Sequence, residues 1–173
     1  MGLKCSIGEV SNRIQASELQ DKGVLANCHV NVLQTQDHPQ FKTYSEELKW
    51  LTTDSKRMSW VANTIKDIAT SGNTLILVDR ISAGEMLEKK IKDSVFVSGS
   101  TKNMDRKEQY DEISTATNKV IIATYGVAAV GINIPRIFNL VLIEPGKSFV
   151  RVIQSIGRGI RKAQDKENVM IWD

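Results

Sequence analysis

The stretch LILVDRISAGEML, residues 75–87, contains the change of hydrophobic pattern that decides the fold class. Its first four residues form a continuous apolar run, which is typical of a strand covered on both faces. After Asp79 and Arg80, apolar residues recur at the spacing of one helix face, at Ile81, Met86, Leu87 and the following Ile91. A strand followed at once by an amphipathic helix is the repeating unit of a parallel sheet with crossover helices.

Four further apolar runs have the same character, and helical stretches separate them. They are VFV at 95–97, VIIA at 120–123, LVLI at 140–143 and VMIW at 169–172. This alternation predicts an α/β fold, a three-layer sandwich built around a mainly parallel sheet.

A helix is predicted over residues 56–71, immediately before the first of these strands. Asp54 or Ser55 is suited to cap its start, and Gly72 to stop it. Trp60 is expected on the packed face of this helix, with a stacking platform as the alternative. A shorter helix is expected over residues 43–51, and a largely solvent-facing one over 105–113.

The composition is that of an ordinary folded protein. The 173 residues are 41% hydrophobic and 25% charged, which excludes a disordered chain and suits one domain with an extension. Residues 1–40, with a candidate strand at 29–34 and a break at Pro39, are expected to form a connector or peripheral extension, and residues 41–173 the domain. No apolar run approaches the ~18 residues that span a membrane.

The two cysteines and two histidines do not have the spacing of a zinc site. Two thiols without a secretory signal suit a reducing cytosol, so we expect a cytoplasmic protein without a bound metal of its own.

Positive charge is concentrated near the end of the chain. The net charge of +3 does not by itself demand nucleic acid. Between residues 147 and 166, however, Asp165 is opposed by six basic residues, Lys147, Arg151, Arg158, Arg161, Lys162 and Lys166. Such a stretch suits phosphate ligands, although a solvated helix face would have the same composition.

Small and polar residues follow the predicted strands, at the edge where a parallel sheet binds ligands. Arg80 follows the first strand, and either Asp79 or Ser82 is expected to cap the next helix. Ser98-Gly99-Ser100-Thr101 offers hydroxyl and backbone donors for a phosphate after the second strand. Taken alone, a helix cap at Ser100 or Thr101 is the simpler explanation of this stretch.

The third strand ends at Thr124, and the small residues after it would let a ligand approach closely. Gly131 permits an unusual turn, and Asn133 offers both a donor and an acceptor. As structure alone, this stretch is a tight turn and a short helix.

QSIGRGIRK, residues 154–162, places Arg158 and Arg161 among Gly157 and Gly159. Arginine grips phosphate oxygens with a rigid fork of donors, and glycine lets a ligand approach the backbone. No G-x-x-x-x-G-K-[ST] loop occurs in the chain. A basic helix face, with Gln154 beside the arginines, is the alternative to a phosphate site.

In order along the chain, these stretches resemble the second motor domain of superfamily-two helicases. QSIGRGIRK resembles motif VI, Q-x-x-G-R-x-x-R, and IIATYGVAAVGINIP, residues 121–135, resembles motif V. LILVDRISAGEML resembles motif IV, and VSGSTKNMDR, residues 97–106, resembles the adjoining turn that holds the nucleic-acid backbone. Within the superfamily the sequence is most similar to the UvsW-like helicases of T-even phages, which are recombination and fork-remodelling motors.

The resemblance implies a RecA-like domain without its own Walker A loop, working beside a first RecA-like domain of the same polypeptide. ATP with Mg²⁺ would lie between the two domains, and the Mg²⁺ site would belong to the first. Arg158 and Arg161 would be arginine fingers. Gln154, Asn133 and Gly131 would lie at the nucleotide.

The resemblance also implies a nucleic-acid track. Thr124, Gly99 and Thr101, together with Arg80, would hold phosphates of single-stranded or branched DNA, and RNA is an alternative substrate. The chain alone would be inactive, and its compartment would be the cytoplasm of a phage-infected bacterium. Two departures from the family pattern are one extra residue between Thr124 and Gly131, and Tyr125 in place of an acid.

Three other functions fit parts of this pattern. One is a standalone nucleic-acid-binding module without ATPase activity, and another is the motor of a restriction-type enzyme. A generic Rossmann-like nucleotide binder is the third, and it lacks support because no G-x-G-x-x-G follows a strand.

Overall fold

A computed structural model describes residues 27–35, 39–100, 108, 111–112, 115–131, 136–144 and 168–173. In these ranges the helices are α1 (Tyr44–Thr53), α2 (Ser55–Ala69), α3 (Ile81–Lys90) and α4 (Tyr125–Gly131). The strands are β1 (Asn27–Asn31), β2 (Thr74–Val78), β3 (Ser94–Val97), β4 (Val120–Thr124), β5 (Asn139–Leu142) and β6 (Asn168–Trp172).

The six strands form one sheet in the order β1-β6-β5-β2-β4-β3, and every neighbouring pair is parallel. The central strand β2 is buried along its whole length, as its continuous apolar run predicts. The predicted α/β architecture is therefore confirmed. β1 lies within the first forty residues and pairs with β6, while the division of the chain at residue 40 stays a prediction.

Each face of the sheet is covered by helices. One face packs Ile76 and Ile122 against α2 and α3, and we call it the α2/α3 face. The other packs Leu75, Leu77 and Ile121 against residues of α4, and we call it the α4 face. Two separate apolar layers on either side of a parallel sheet make the predicted three-layer sandwich.

The predicted ends of α2 are confirmed. The Asp54 side chain accepts a hydrogen bond from the Arg57 backbone N–H at 2.8 Å and so caps the start of the helix. Gly72, with a φ of 148°, follows the last turn in a conformation that glycine tolerates best. The predicted cap of α3 by Asp79 or Ser82 is wrong, because the capping residue is Arg80 and no side chain bonds there.

Two predictions of burial are also wrong. Ile81 is 51% exposed because it is the first residue of α3, at the open edge of the sheet. Trp60 is 47% exposed because it lines a cavity of about 100 Å³ on the α2/α3 face, beside Val141 and Trp172, instead of entering the packed layer. In the described part of the chain, no helix is long and apolar enough to cross a membrane.

Candidate functional site

The carboxyl ends of the parallel strands bring predicted site residues to one edge of the sheet. Arg80 follows β2, Thr124 is the last residue of β4, and Gly99 follows β3. These three strands are adjacent in the sheet. Val78 pairs with Thr124 and Val97 with Ala123, so the three residues lie at neighbouring positions along the edge. The structure therefore brings together three of the predicted nucleic-acid contacts.

The turn after β3 is open to a ligand. A side chain at Gly99 would meet no atom within 4 Å, and Gly99 itself is exposed. Beside it, the Ser98 and Ser100 hydroxyl oxygens lie 2.7 Å apart and share a hydrogen bond. Ser98 is buried, whereas Gly99 and Ser100 are exposed, and backbone N–H and hydroxyl groups are the kind of donors that a phosphate oxygen accepts.

Thr124 and Arg80 differ in how the fold positions them. Thr124 is the last residue of β4 and is half-buried, so the strand ladder fixes its backbone. Arg80 is half-buried where the chain passes from β2 into α3, and its carbonyl accepts the Gly84 N–H at 3.3 Å. Both residues therefore stand on rigid elements rather than on long loops.

Sequence reasoning missed two buried polar side chains at this same edge, Glu144 and Tyr125, which have the exposed carboxylates of Asp79 and Asp173 near them. On the α4 face, Leu77 pairs with Ala123 on one side and with Leu142 on the other. Beyond the ends of these strands, the charge of Asp79 acts on both Tyr125 and Glu144. Asp173 follows β6 at the level of Leu142. We call Asp79, Glu144 and Asp173 the carboxylate cluster.

The electrostatics of these groups show which charges act on each of them. Glu144 is 3% exposed, and burial, with the nearby Asp79 charge, raises its pKa to about 7, whereas the charges of Arg80 and Arg57 and the Arg80 backbone N–H lower it. Burial also raises the pKa of Tyr125, and the charges of Asp173, Glu144 and Asp79 raise it further. The Tyr125 hydroxyl thus lies within the field of all three carboxylates.

A signal for this cluster exists in the sequence. Leu75, Leu77 and Asp79 recur at the two-residue period of one strand face, as do Leu140, Leu142 and Glu144. Locating the cluster also requires that β5 lies next to β2, and that neighbour relation is a property of the sheet order.

The structure gives no contacts for the remaining predicted site residues. Gly131 is the final residue of α4, the helix that begins directly after Thr124. Thr101, Asn133, Gln154, Arg158 and Arg161 lie outside the described residues. Their roles stay predictions.

The sequence profile of the family "Helicase conserved C-terminal domain" matches residues 56–163, more than half of the chain. The chain belongs to this family. The described part of this helicase C-terminal domain includes Arg80, Gly99 and Thr124, all within the matched range.

Two proteins similar to this helicase C-terminal domain are viral. The "ATP-dependent DNA helicase uvsW" of Enterobacteria phage T4 is 29% identical over 177 residues, which is 96% of this chain and 35% of the phage protein. "Putative helicase 22" of the Sulfolobus islandicus filamentous virus is 32% identical over 103 residues, 57% of this chain and 18% of that protein. The chain spans about a third of the first relative and less of the second.

Solved structures confirm the architecture of the helicase C-terminal domain. The crystal structure of T4 UvsW superposes with a TM-score of 0.68 at 28% identity, covering 86% of this chain and 32% of that one. The C-terminal domain of the DEAD-box protein Dbp5 superposes with a TM-score of 0.51 at 20% identity, over 64% of this chain and 67% of that one. The expected resemblance to UvsW-like helicases, and the RecA-like fold of their C-terminal domains, are therefore confirmed.

Proposed function

We propose that this chain is the second motor domain of an ATP-dependent DNA helicase or translocase that acts in recombination, branch migration or fork remodelling. One observation carries the proposal: Arg80, Gly99 and Thr124 lie on three adjacent strand ends, at one edge of a helicase C-terminal domain. The name of the T4 relative, an ATP-dependent DNA helicase, supports the choice of ATP and DNA.

In this proposal the edge holds the backbone of one nucleic-acid strand. The Thr124 hydroxyl, the exposed turn at Gly99 and the Arg80 guanidinium donate to consecutive phosphates, with Thr101 extending the track. Because these groups contact phosphates and not bases, binding is largely independent of sequence and weakens as salt rises.

The same domain completes an ATP site carried mainly by a first RecA-like domain of the polypeptide. We assign the Mg²⁺ site to the first domain, as the resemblance to superfamily-two helicases implies. Arg158 and Arg161 stabilise charge on the transferring phosphoryl group, while Gln154, Asn133 and Gly131 hold the nucleotide.

The test is DNA-stimulated ATP hydrolysis by the chain joined to its first motor domain. Arg158→Ala and Arg161→Ala are each expected to lower the hydrolysis rate by ~10³-fold or more, as loss of an arginine finger does. Lys66→Ala, an exposed change in the last turn of α2, is the matched control. Normal hydrolysis by both arginine variants would refute the finger assignment.

The chain alone gives a second measurement. It is expected to bind single-stranded DNA with a salt-dependent affinity and to hydrolyse no ATP at a useful rate. If the joined protein also fails to hydrolyse ATP when DNA is added, a standalone binding module replaces the motor as the function.

A further inference from the structure

The turn from β2 into α3 carries Arg80, and no side chain of this turn caps the helix. Arg80 is itself the capping residue, with an extended backbone, and its side chain makes no capping hydrogen bond. The first N–H groups of a helix have no partner within the helix and are satisfied by capping side chains or by groups from elsewhere. The turn at Arg80 therefore depends on contacts with other elements.

Glu144 reaches this turn from β5. The Ile143 N–H donates to the Leu77 carbonyl at 3.3 Å, so the chain after β5 stays bonded to β2 up to the residue before Glu144. Glu144 is 3% exposed, and both of its carboxylate oxygens are buried. A glutamate is rarely buried to this degree unless a donor or an opposite charge accompanies it.

Arg80 accompanies Glu144 with both its backbone and its side chain. Burial, and then the Asp79 charge, raise the pKa of Glu144 to about 7, while the Arg80 charge, the Arg80 backbone N–H and the Arg57 charge lower it. The Arg80 N–H approaches without the geometry of a full hydrogen bond. The Arg57 Nη1 atom donates to the Leu51 carbonyl at 2.6 Å, which directs that end of its guanidinium towards α1.

We propose that Glu144 is a positioning residue for Arg80. From the end of β5, its buried carboxylate holds the turn at Arg80 and keeps the guanidinium at the edge that also carries Gly99 and Thr124. An ionised carboxylate attracts both the guanidinium and the start of α3, because the first turn of a helix carries a partial positive charge. The inference rests on the nucleic-acid track of the proposed function and adds Glu144 to it as a residue that acts through Arg80.

The first measurement tests the contact without DNA. In an NMR titration of the 173-residue chain, the Arg80 amide proton should shift with the same midpoint as the Glu144 carboxyl, near the pKa of about 7. Glu144→Gln keeps the shape of the side chain and removes its ionisation, so this shift should disappear. The Leu87 amide, about two turns further along α3, is the reference signal. An Arg80 amide that does not share the Glu144 midpoint would overturn the contact.

The second measurement tests the effect on single-stranded DNA binding at about pH 8, where Glu144 is ionised. Glu144→Gln should lower the slope of log affinity against log salt by about 1, as the loss of one phosphate contact does. In the Arg80→Gln background, the same change should leave the slope at the value that Arg80→Gln alone produces. Glu85→Gln, which removes the charge of an exposed acid on α3, is the matched control and should leave the slope unchanged.

The two backgrounds separate positioning from a structural role. Equal effects of Glu144→Gln with and without Arg80, or no effect in either, would overturn the proposal and leave the track in place. An unchanged slope in Arg80→Gln alone is a different failure, because it removes Arg80 from the proposed track, and Glu144 with it. Urea denaturation shows whether each variant is folded. The titration of the unmodified chain needs no variant, so it tests the contact even if Glu144→Gln does not fold.

Discussion

A Cβ atom on Gly84 would lie 2.3 Å from the ring of Phe96. Gly84 is a buried residue of α3, and Phe96 lies on β3. Because Gly84 has no side chain, the Phe96 ring can pack directly against the helix backbone. Gly84→Ala must displace the ring, and overpacking of this kind costs about 1–3 kcal/mol. Urea denaturation should show a lower free energy of unfolding for this variant.

Gly126→Ala is the matched control for Gly84→Ala. A Cβ atom at Gly126 in α4 meets nothing within 4 Å. Because alanine favours a helix over glycine by up to about 1 kcal/mol, this variant should be as stable as the wild type or more so. Equal losses in the two variants would show that helix–strand packing at Phe96 is not the cause.

Asn139 joins three parts of the fold from a fully buried position at the start of β5. Its amide nitrogen donates to the Ser71 hydroxyl at 2.9 Å and to the Ile68 carbonyl at 3.3 Å, and its oxygen accepts from Trp172 Nε1 at 3.4 Å. Asn139→Ala removes these bonds and leaves Trp172 Nε1 without its acceptor, while the Ser71 hydroxyl still donates to the Ile68 carbonyl, so the free energy of unfolding should fall by about 1–3 kcal/mol. Asn63→Ala, an exposed change on α2, should alter the same measurement little.

Thr124→Val tests the nucleic-acid track with almost no change of shape. If the hydroxyl donates to a phosphate, its loss should weaken single-stranded DNA binding by about 1.5–3 kcal/mol, the worth of a hydrogen bond to a charged group. Fluorescence anisotropy with a labelled oligonucleotide measures this affinity. An unchanged affinity, with the fold intact, would remove Thr124 from the track.

Arg80→Gln should act differently from Thr124→Val because it removes a charge. The slope of log affinity against log salt should fall by about 1, and the loss should be similar for oligonucleotides of different sequence. Lys66→Gln is the control, since Lys66 lies in the last turn of α2, before β2 begins, and so at the opposite edge of the sheet. A salt slope that Arg80→Gln leaves unchanged would contradict a phosphate contact.

Tyr125 gives the fold a pH dependence at the alkaline end. Burial, and then the charges of Asp173, Glu144 and Asp79, raise the pKa of Tyr125 above the ordinary value of 10.0. The folded chain therefore holds this proton above a pH of about 10, where the unfolded chain releases it, and stability falls as the pH rises through that range. The free energy of unfolding, measured between about pH 9 and 11, should show this fall.

Tyr125→Phe should reduce the alkaline loss of stability while costing little at neutral pH, because the hydroxyl has no described partner. Tyr44→Phe, on the exposed face of α1, should keep the loss. An identical pH profile in wild type and Tyr125→Phe would show that another group causes it.

Much of the fold was predictable because local chemistry decides it. The apolar run at 75–78 makes a buried strand wherever it lies in the sheet, and Asp54 caps a helix through a bond to a residue three positions away. Burial at Ile81 was predicted wrongly because helical spacing does not show which end of a helix projects beyond the sheet.

The candidate site was predictable in part for the same reason. Strand ends are visible in the sequence, so Arg80, Gly99 and Thr124 were placed at one edge. Glu144 looks like any polar residue after a strand, and its burial arises because β5 lies between β2 and β6. Strand neighbours of this kind join residues far apart in the chain, which no local pattern encodes.

The position of β6 has a consequence for the order in which the sheet can form. β1 pairs with β6, and the segment after β1 is also linked to the residue after β6 by the bond from the Leu33 N–H to the Asp173 carbonyl. During synthesis, β1 leaves the ribosome before the other described strands, but its partner among them, residues 168–172, follows last. Because such long-range pairing is slow, β1 is expected to join the sheet last.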